Sequence, residues 1–430
     1  MIPEQKNIVL FIGSLNNDHL ETVKELEKFL NRKLKIGLIT TLKKKINSEI
    51  EKKLDIFLRC DMERGRIIEE TLRPYHDNIL LITAKYEFSI ELLARLVSYF
   101  PYLRLPTKRS LKIANDKLEM RKAFTRYYPK ITPKYIYVKK YSESILGEIK
   151  DKVGFPCVIK PTNLSTSKLI VTCYYQEELE NNLKEVFRRV NSLYKKADVE
   201  VEPKIIVEQF MEGQMYTIDA FVNSLGKIYY TPVVEVKTGK DAGYDDFFMY
   251  TQITPSILSK TEELVAQDTV ARAIHAVGLR SSAVHCELMK TSKGFQVIEL
   301  AARCGGFREE LLDNSFGLKH GLNDFLIHLG KKPILKITKN KHTVLIKFWP
   351  HKKGKLIGIK GLNKAKQLNS LVKFRQGIKI GEYAGLSKHG HAYVVAFTLA
   401  TQTRSELLAD IRRLEKWIII ETKRNGQSKK

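Results

Sequence analysis

Two glutamates, Glu287 and Glu299, carry the clearest chemical signal in the chain. They sit in the stretch AVHCELMKTSKGFQVIELAARCGG, residues 283–306. Val284–Met289 and Phe295–Leu300 read as two strands. Ser292-Lys293-Gly294 reads as a three-residue loop, a type I turn closed by a left-handed glycine. That loop pairs Thr291 with Phe295, and counting outward puts Glu287 opposite Glu299. Cross-strand partners on one face sit roughly 5 Å apart, where like charges are destabilising. Three things relieve such a pair: protonation of one acid, a lysine or arginine between them, or a hard cation bridging them. Magnesium takes oxygen ligands and is commonly held by one or two carboxylates plus substrate phosphates. Arg303 and a Gly305-Gly306 turn follow closely. An ordinary hairpin with both acids in solvent gives the same local pattern, so the rest of the chain has to decide.

A second group of candidates lies upstream. Asn115-Asp116-Lys117 opens a helix that runs to about Tyr127. Phe155-Pro156-Cys157-Val158-Ile159-Lys160-Pro161 is a short apolar strand ending in a lysine. Such a lysine either snorkels to the surface or acts as a point charge aimed at a phosphate. The hydroxyl-rich turn 162–168 follows, whose amides and hydroxyls can bind phosphate, although it has no glycine.

The elements that position these residues fall into an order. Residues 7–106 alternate strands (7–13, 34–40, 54–60, 78–83) with helices (18–30, 89–99), which argues a small open parallel sheet. Gly13-Ser14 after the first strand lacks the further glycines of a dinucleotide fingerprint. Strands follow at 135–138, 169–173 and 204–208, with helices at 143–153 and 177–190. A hairpin spans 216–222 and 227–236. Residues 237–257 read as a polar loop of functional length. Ser259 with Glu262 caps a helix that ends at Gly278, and 323–329 is helical. The last hundred residues read as a separate unit. It has strands at 343–348 and 392–399 and a final helix capped by Thr403 and Glu406. No internal repeat stands out.

Composition sets the frame. The chain has 430 residues, 43% hydrophobic and 28% charged, which fits a globular protein of two to four domains. No apolar run reaches the length of a membrane span, and the N-terminus reads as a strand rather than a signal peptide. Cys60, Cys157, Cys173, Cys286 and Cys304 are scattered and show no metal spacing, which implies a reducing cytoplasm and no disulfide framework. The net charge of +26 comes mostly from lysines spread along the whole chain. No stretch interleaves clustered arginines with aromatics, so a nucleic-acid partner is disfavoured.

Taken in order, Asp116-Lys117, FPCVIKP, VEQFMEG, the Tyr-Thr-Ile-Asp at 216–219, HCE and IELAARCGG resemble the ATP-grasp superfamily of ligases. The resemblance is good over about 108–330. It is looser on either side and leans toward the carboxylate–amine and L-amino-acid ligase branch. It implies an α/β fold, α+β in places. The domains would be an N-terminal Rossmann-like preATP-grasp domain (1–107), an ATP-grasp domain (108–332, with 118–212 as the lid) and a C-terminal α+β lobe (333–430). It implies Lys117 and Lys160 at nucleotide phosphates, with Lys160 and Arg303 in the catalytic step. Ser167 would lie in the phosphate flap. Glu208, Gln209, Phe210 and Met211 would form the hinge whose backbone recognises adenine, so that their side chains are free to vary. Glu287 and Glu299 would hold Mg2+, with Mn2+ admitted, and His285 carries no assigned role.

Three positions depart from the family's pattern. The flap lacks glycines, Met215 stands where an acid commonly binds ribose, and Ala301 replaces a frequent asparagine. The implied activity is ATP-dependent joining of a small carboxylate to an amine through an acyl phosphate, releasing ADP and phosphate, with a homodimer allowed. Two alternatives stay open: a degenerate member that binds nucleotide without ligating, and a basic nucleic-acid-binding protein.

Overall fold

The structure is a computed structural model that describes residues 5–163, 169–196, 202–244, 247–387 and 391–423. The first four strands are β1 (Ile8–Ile12), β2 (Lys35–Thr41), β3 (Ile56–Cys60) and β4 (Ile79–Ala84). They form a parallel sheet in the order β3-β2-β1-β4. Every residue of β1 and β4 is buried, as expected where helices cover both faces. The helix Asn17–Leu30 starts on a capping box of Asn16 and His19 and ends on left-handed Asn31. The helix Glu87–Leu96 leaves the end of β4 and brings Glu87 toward the rest of the molecule.

A second, antiparallel sheet holds β5 (Tyr135–Val138), β6 (Cys157–Pro161), β7 (Val171–Cys173) and β8 (Ile205–Gln209), in the order β5-β8-β6-β7. The helices Glu143–Lys152 and Gln176–Lys196 pack on it and close a core of its own around Ile149, Ile159, Leu183 and Val207.

The third sheet is the largest. It begins with β9 (Gln214–Val222), β10 (Ile228–Tyr230), β11 (Val234–Thr238), β12 (Met249–Thr254), β13 (Ser282–Thr291) and β14 (Gly294–Ala301). The expected strand 227–236 is broken at Thr231-Pro232. Proline has no N–H for the ladder, and Thr231 turns its own N–H and hydroxyl to the carbonyl of Asp219. The expected polar loop 237–257 is corrected too, because it contains β12. Its sequence MYTQIT carries the strand-favouring Tyr250, Thr251, Ile253 and Thr254, and five of its six residues are buried between neighbouring strands.

The C-terminal strands extend the large sheet and add a small one. The remaining strands are β15 (His342–Phe348), β16 (Gly354–Lys360), β17 (Leu371–Gln376), β18 (Tyr383–Ala384), β19 (Val395–Thr401) and β20 (Ile419–Lys423). The edge of β12 takes β15 as its partner, and the large sheet continues as β14-β13-β9-β11-β12-β15-β19-β17. β18, β16 and β20 make a small sheet beside it. The helix Arg404–Trp417, capped by Thr403 and Glu406 as expected, packs between them. Among the described residues, no helix is long and apolar enough to cross a membrane.

Candidate active site

The acid hairpin is built differently from expectation and reaches the same result. Thr291 pairs with Gly294, not with Phe295, so the turn is one residue tighter. Left alone, that register would put Glu287 opposite Ile298. Instead Leu288 pairs with Val297 and Glu287 with Glu299, with Ile298 as the extra residue of a β-bulge. The bulge is secured from behind. Arg121, on the helix Lys117–Tyr127, donates Nη1 to the Val297 carbonyl (2.9 Å) and Nη2 to the Ile298 carbonyl (2.7 Å).

The two acids find different partners. Lys117 Nζ lies 3.0 Å from Glu299 Oε1. Burial alone would raise the Glu299 carboxyl, but Lys117, with Arg303 and Lys160 farther off, outweighs it and holds the group below its ordinary value. Glu287 Oε1 is 3.6 Å from His285 Nε2. Thus one of the reliefs anticipated for the pair, a lysine, already serves Glu299. Lys117 is placed by Asp116, which caps the helix by accepting from Leu118 and Glu119, and by its own N–H to the Thr162 carbonyl.

Behind the pair stands a buried hub. Asp219 accepts from His285 Nδ1 (2.6 Å), His320 Nε2 (2.7 Å) and the Gly305 N–H (2.6 Å). Burial pushes against its ionised form, but the two histidines win and hold it well below the ordinary carboxylate value. His285 therefore links the hub to Glu287, which gives it a positioning role that sequence reasoning did not supply. Arg308 is buried against the same hub, donating to Thr217 Oγ1 (2.7 Å) and Gln252 Oε1 (2.5 Å). Lys347 on β15 faces it, and burial followed by Arg308 brings that amine down to about 8.

Arg303, in the turn after β14, is held by Glu87. Its Nε is 2.7 Å and its Nη2 2.6 Å from Glu87 Oε2, and the guanidinium, although buried, is held above its ordinary value by Glu87 first and then by Glu299 and Glu287. The helix that follows β4 thus contributes a residue to the site, one the sequence did not flag.

Lys160, the penultimate residue of β6, has its Nζ 2.8 Å from Glu208 Oε2. The expectation that hinge side chains vary freely fails at Glu208. It is fully buried and also takes a two-pronged ion pair from Arg121, so a neutral replacement would leave two buried cations short of their counter-charge. In the rest of the hinge, the Gln209 N–H bonds the Lys134 carbonyl and the Phe210 N–H the Pro156 carbonyl, while Met211 is buried. Phe210 sits under Lys240 Nζ, which also bonds the Tyr174 hydroxyl, so the turn after β11 packs on the hinge. Met215 is buried within β9. Ser167 lies outside the described residues.

The donor set fits magnesium. Glu287 and Glu299 face each other across the hairpin and offer the oxygen donors that magnesium takes. A cation here would draw its remaining ligands from water and phosphate oxygens, the pattern magnesium favours.

The chain is similar to known proteins over the region that holds these residues. Residues 153–310 match the family model of the ATP-grasp domain. A phosphoribosylamine–glycine ligase of Lactococcus lactis is 21% identical over 277 residues, 62% of this chain and 61% of that protein. A D-alanine–D-alanine ligase of Staphylococcus carnosus is 29% identical over 139 residues, 31% of this chain and 34% of that protein. The matched segments thus span less than two thirds of these relatives. The crystal structure of an L-amino acid ligase from Bacillus licheniformis superposes with a TM-score of 0.75 at 17% identity, covering 98% of this chain and all of that one. At that identity the likeness is one of fold.

Proposed function

We propose that this chain, which is built around an ATP-grasp domain, is an ADP-forming ligase that joins a small carboxylate to an amine. The observation that carries the reading is a convergence. Lys117 from a helix, Glu287 and Glu299 from two strands and Arg303 from the following turn meet at one end of one hairpin.

The reaction divides into two displacements. A carboxylate oxygen attacks the γ-phosphorus of ATP, and ADP departs. The amine nitrogen then attacks the acyl carbon, phosphate departs, and the amine gives up a proton. Such phosphoryl transfer is governed by positioning and charge neutralisation. Glu287 and Glu299 would hold Mg2+, or Mn2+ with the same oxygen preference, which supplies neutralisation at the phosphate oxygens. Lys117 adds a cation beside Glu299. Arg303, oriented by Glu87, presents its guanidinium to charge developing on the acyl phosphate. Lys160, steered by Glu208, brings a cation from the second sheet. The five free cysteines and the need for ATP fit a cytoplasmic protein.

The test is calorimetric titration of MgATP into the wild type and Lys160→Ala, followed by ADP release over a panel of acids and amines. Binding weakened at least about tenfold in the variant, with ADP release that needs both an acid and an amine, is the expected result. Binding without ADP release for any pair would make the chain a nucleotide binder. No MgATP binding, with retention on nucleic acid that falls steeply with salt, would overturn the ligase reading.

A further inference from the structure

Two of the five cysteines face each other across a pair of strands. Cys157 opens β6 and Cys173 closes β7, and the antiparallel register sets them directly opposite. Both are fully buried and both are free thiols. Their side chains share a hydrogen bond, and Cys173 Sγ also accepts from Asn182 Nδ2 at 3.6 Å. Opposed residues on such strands have Cβ atoms about 4.5–5.5 Å apart, close to the roughly 3.5–4.5 Å a disulfide spans. The two other cysteines that lie in strands face no thiol: Cys286 is opposite Leu300 and Ile218, and Cys60 opposite Thr41.

Access follows from topology. β7 is three residues long, lies at the edge of its sheet, and pairs only with β6 among the described strands. Such an edge opens locally at far lower cost than the whole domain.

We propose that Cys157 and Cys173 form an oxidation site, at which a hydroperoxide converts the two thiols into a reversible disulfide across β6 and β7. The Cys173 sulfur attacks a peroxide oxygen, the O–O bond breaks, and with hydrogen peroxide the products are a sulfenic acid and water. The Cys157 sulfur then attacks the Cys173 sulfur. The S–S bond forms, the S–O bond breaks, and the hydroxyl leaves as a second water with the Cys157 proton. Two thiols lose two electrons and the peroxide gains them. The order of attack has support. The hydrogen bond from Cys157 holds the Cys173 thiol below its ordinary value against its burial, with Asn182 adding to the effect, and the thiolate is the nucleophile. The same hydrogen bond, then burial, push Cys157 up. The disulfide would staple the strand that carries Lys160 to its neighbour. This inference stands whether or not the ligase reading does.

The experiment treats the full-length protein with hydrogen peroxide, alkylates the remaining thiols under denaturing conditions, and maps all five cysteines by mass spectrometry after digestion. The expected product is a linked peptide joining Cys157 and Cys173, lighter by two hydrogens, formed before any oxidised Cys304 and abolished by dithiothreitol. Cys173→Ser should leave Cys157 as an alkylated thiol. Recovery of Cys157 and Cys173 as separate thiols, or as unlinked sulfinic acids, while Cys304 is oxidised would overturn the proposal. The wild-type map suffices even if the variant folds poorly.

Discussion

Arg121 and Glu208 meet in a fully buried, two-pronged ion pair, with Nε 2.7 Å from Oε1 and Nη2 3.2 Å from Oε2. The same guanidinium reaches the carbonyls of Val297 and Ile298 at the bulge, so one side chain ties the second sheet to the acid hairpin. Arg121→Met should therefore destabilise the protein by about 3–5 kcal/mol, the cost of leaving a buried charge without its partner. Arg121→Lys should recover only part of that, because an ammonium cannot reproduce the planar fork. Urea unfolding of the three proteins measures both.

Glu287→Gln removes one charge of the facing pair without changing its shape. ADP formation should fall by at least about a hundredfold, while the circular dichroism spectrum and melting temperature stay close to wild type. Full turnover by this variant would remove Glu287 from the metal site.

The turn after Arg303 offers a contrast between neighbours. A Cβ at Gly305 would lie 2.4 Å from His285 Nδ1, whereas a Cβ at Gly306 meets open space. Gly305→Ala should cost about 1–3 kcal/mol of stability and lower turnover by disturbing His285 and, through it, Glu287. Gly306→Ala should change stability by less than about 0.5 kcal/mol. Equal effects at the two positions would refute the packing argument.

Acid stability should carry the signature of Glu208. Burial opposes its ionisation, but Arg121 and Lys160 bring its carboxyl down from 4.5 to about 2. A lowered folded value means stability present above the ordinary value and lost as pH falls through the folded one. The window is therefore pH 4.5 down to 2, and the loss is about 3 kcal/mol. Glu208→Gln should flatten that part of the stability curve. Asp219 acts in the same direction. His320, raised well above 6.5 despite its burial by the charge and hydrogen bonds of Cys304 and Asp219, acts oppositely, and its contribution fades as pH rises through its folded value.

The sequence exposed the acid pair, both lysines and Arg303 because each stands out against apolar neighbours or a glycine turn. It got the facing of Glu287 and Glu299 right through a loop one residue too long, and the bulge at Ile298 absorbed the difference. Pair counting cannot detect a bulge that an arginine from a distant helix stabilises. Asp219 was legible in principle: an acid inside the apolar run 215–222 must be paired if buried. Glu87 was not, since an acid at the start of a helix already has a local explanation. The strand in 249–254 was missed because the glycines and aspartates of 239–246 just before it read as one continuous loop.

Because β15, β19 and β17 continue the sheet that carries Glu287 and Glu299, the chain has no natural cutting point before residue 342. A fragment ending there would leave Met249–Thr254 as a bare, hydrogen-bond-hungry margin, the kind of surface that recruits other chains. Any workable excision, domain swap or tag insertion has to respect that seam. The chemistry at one end of the plate and the tail at the other should melt together rather than in turn.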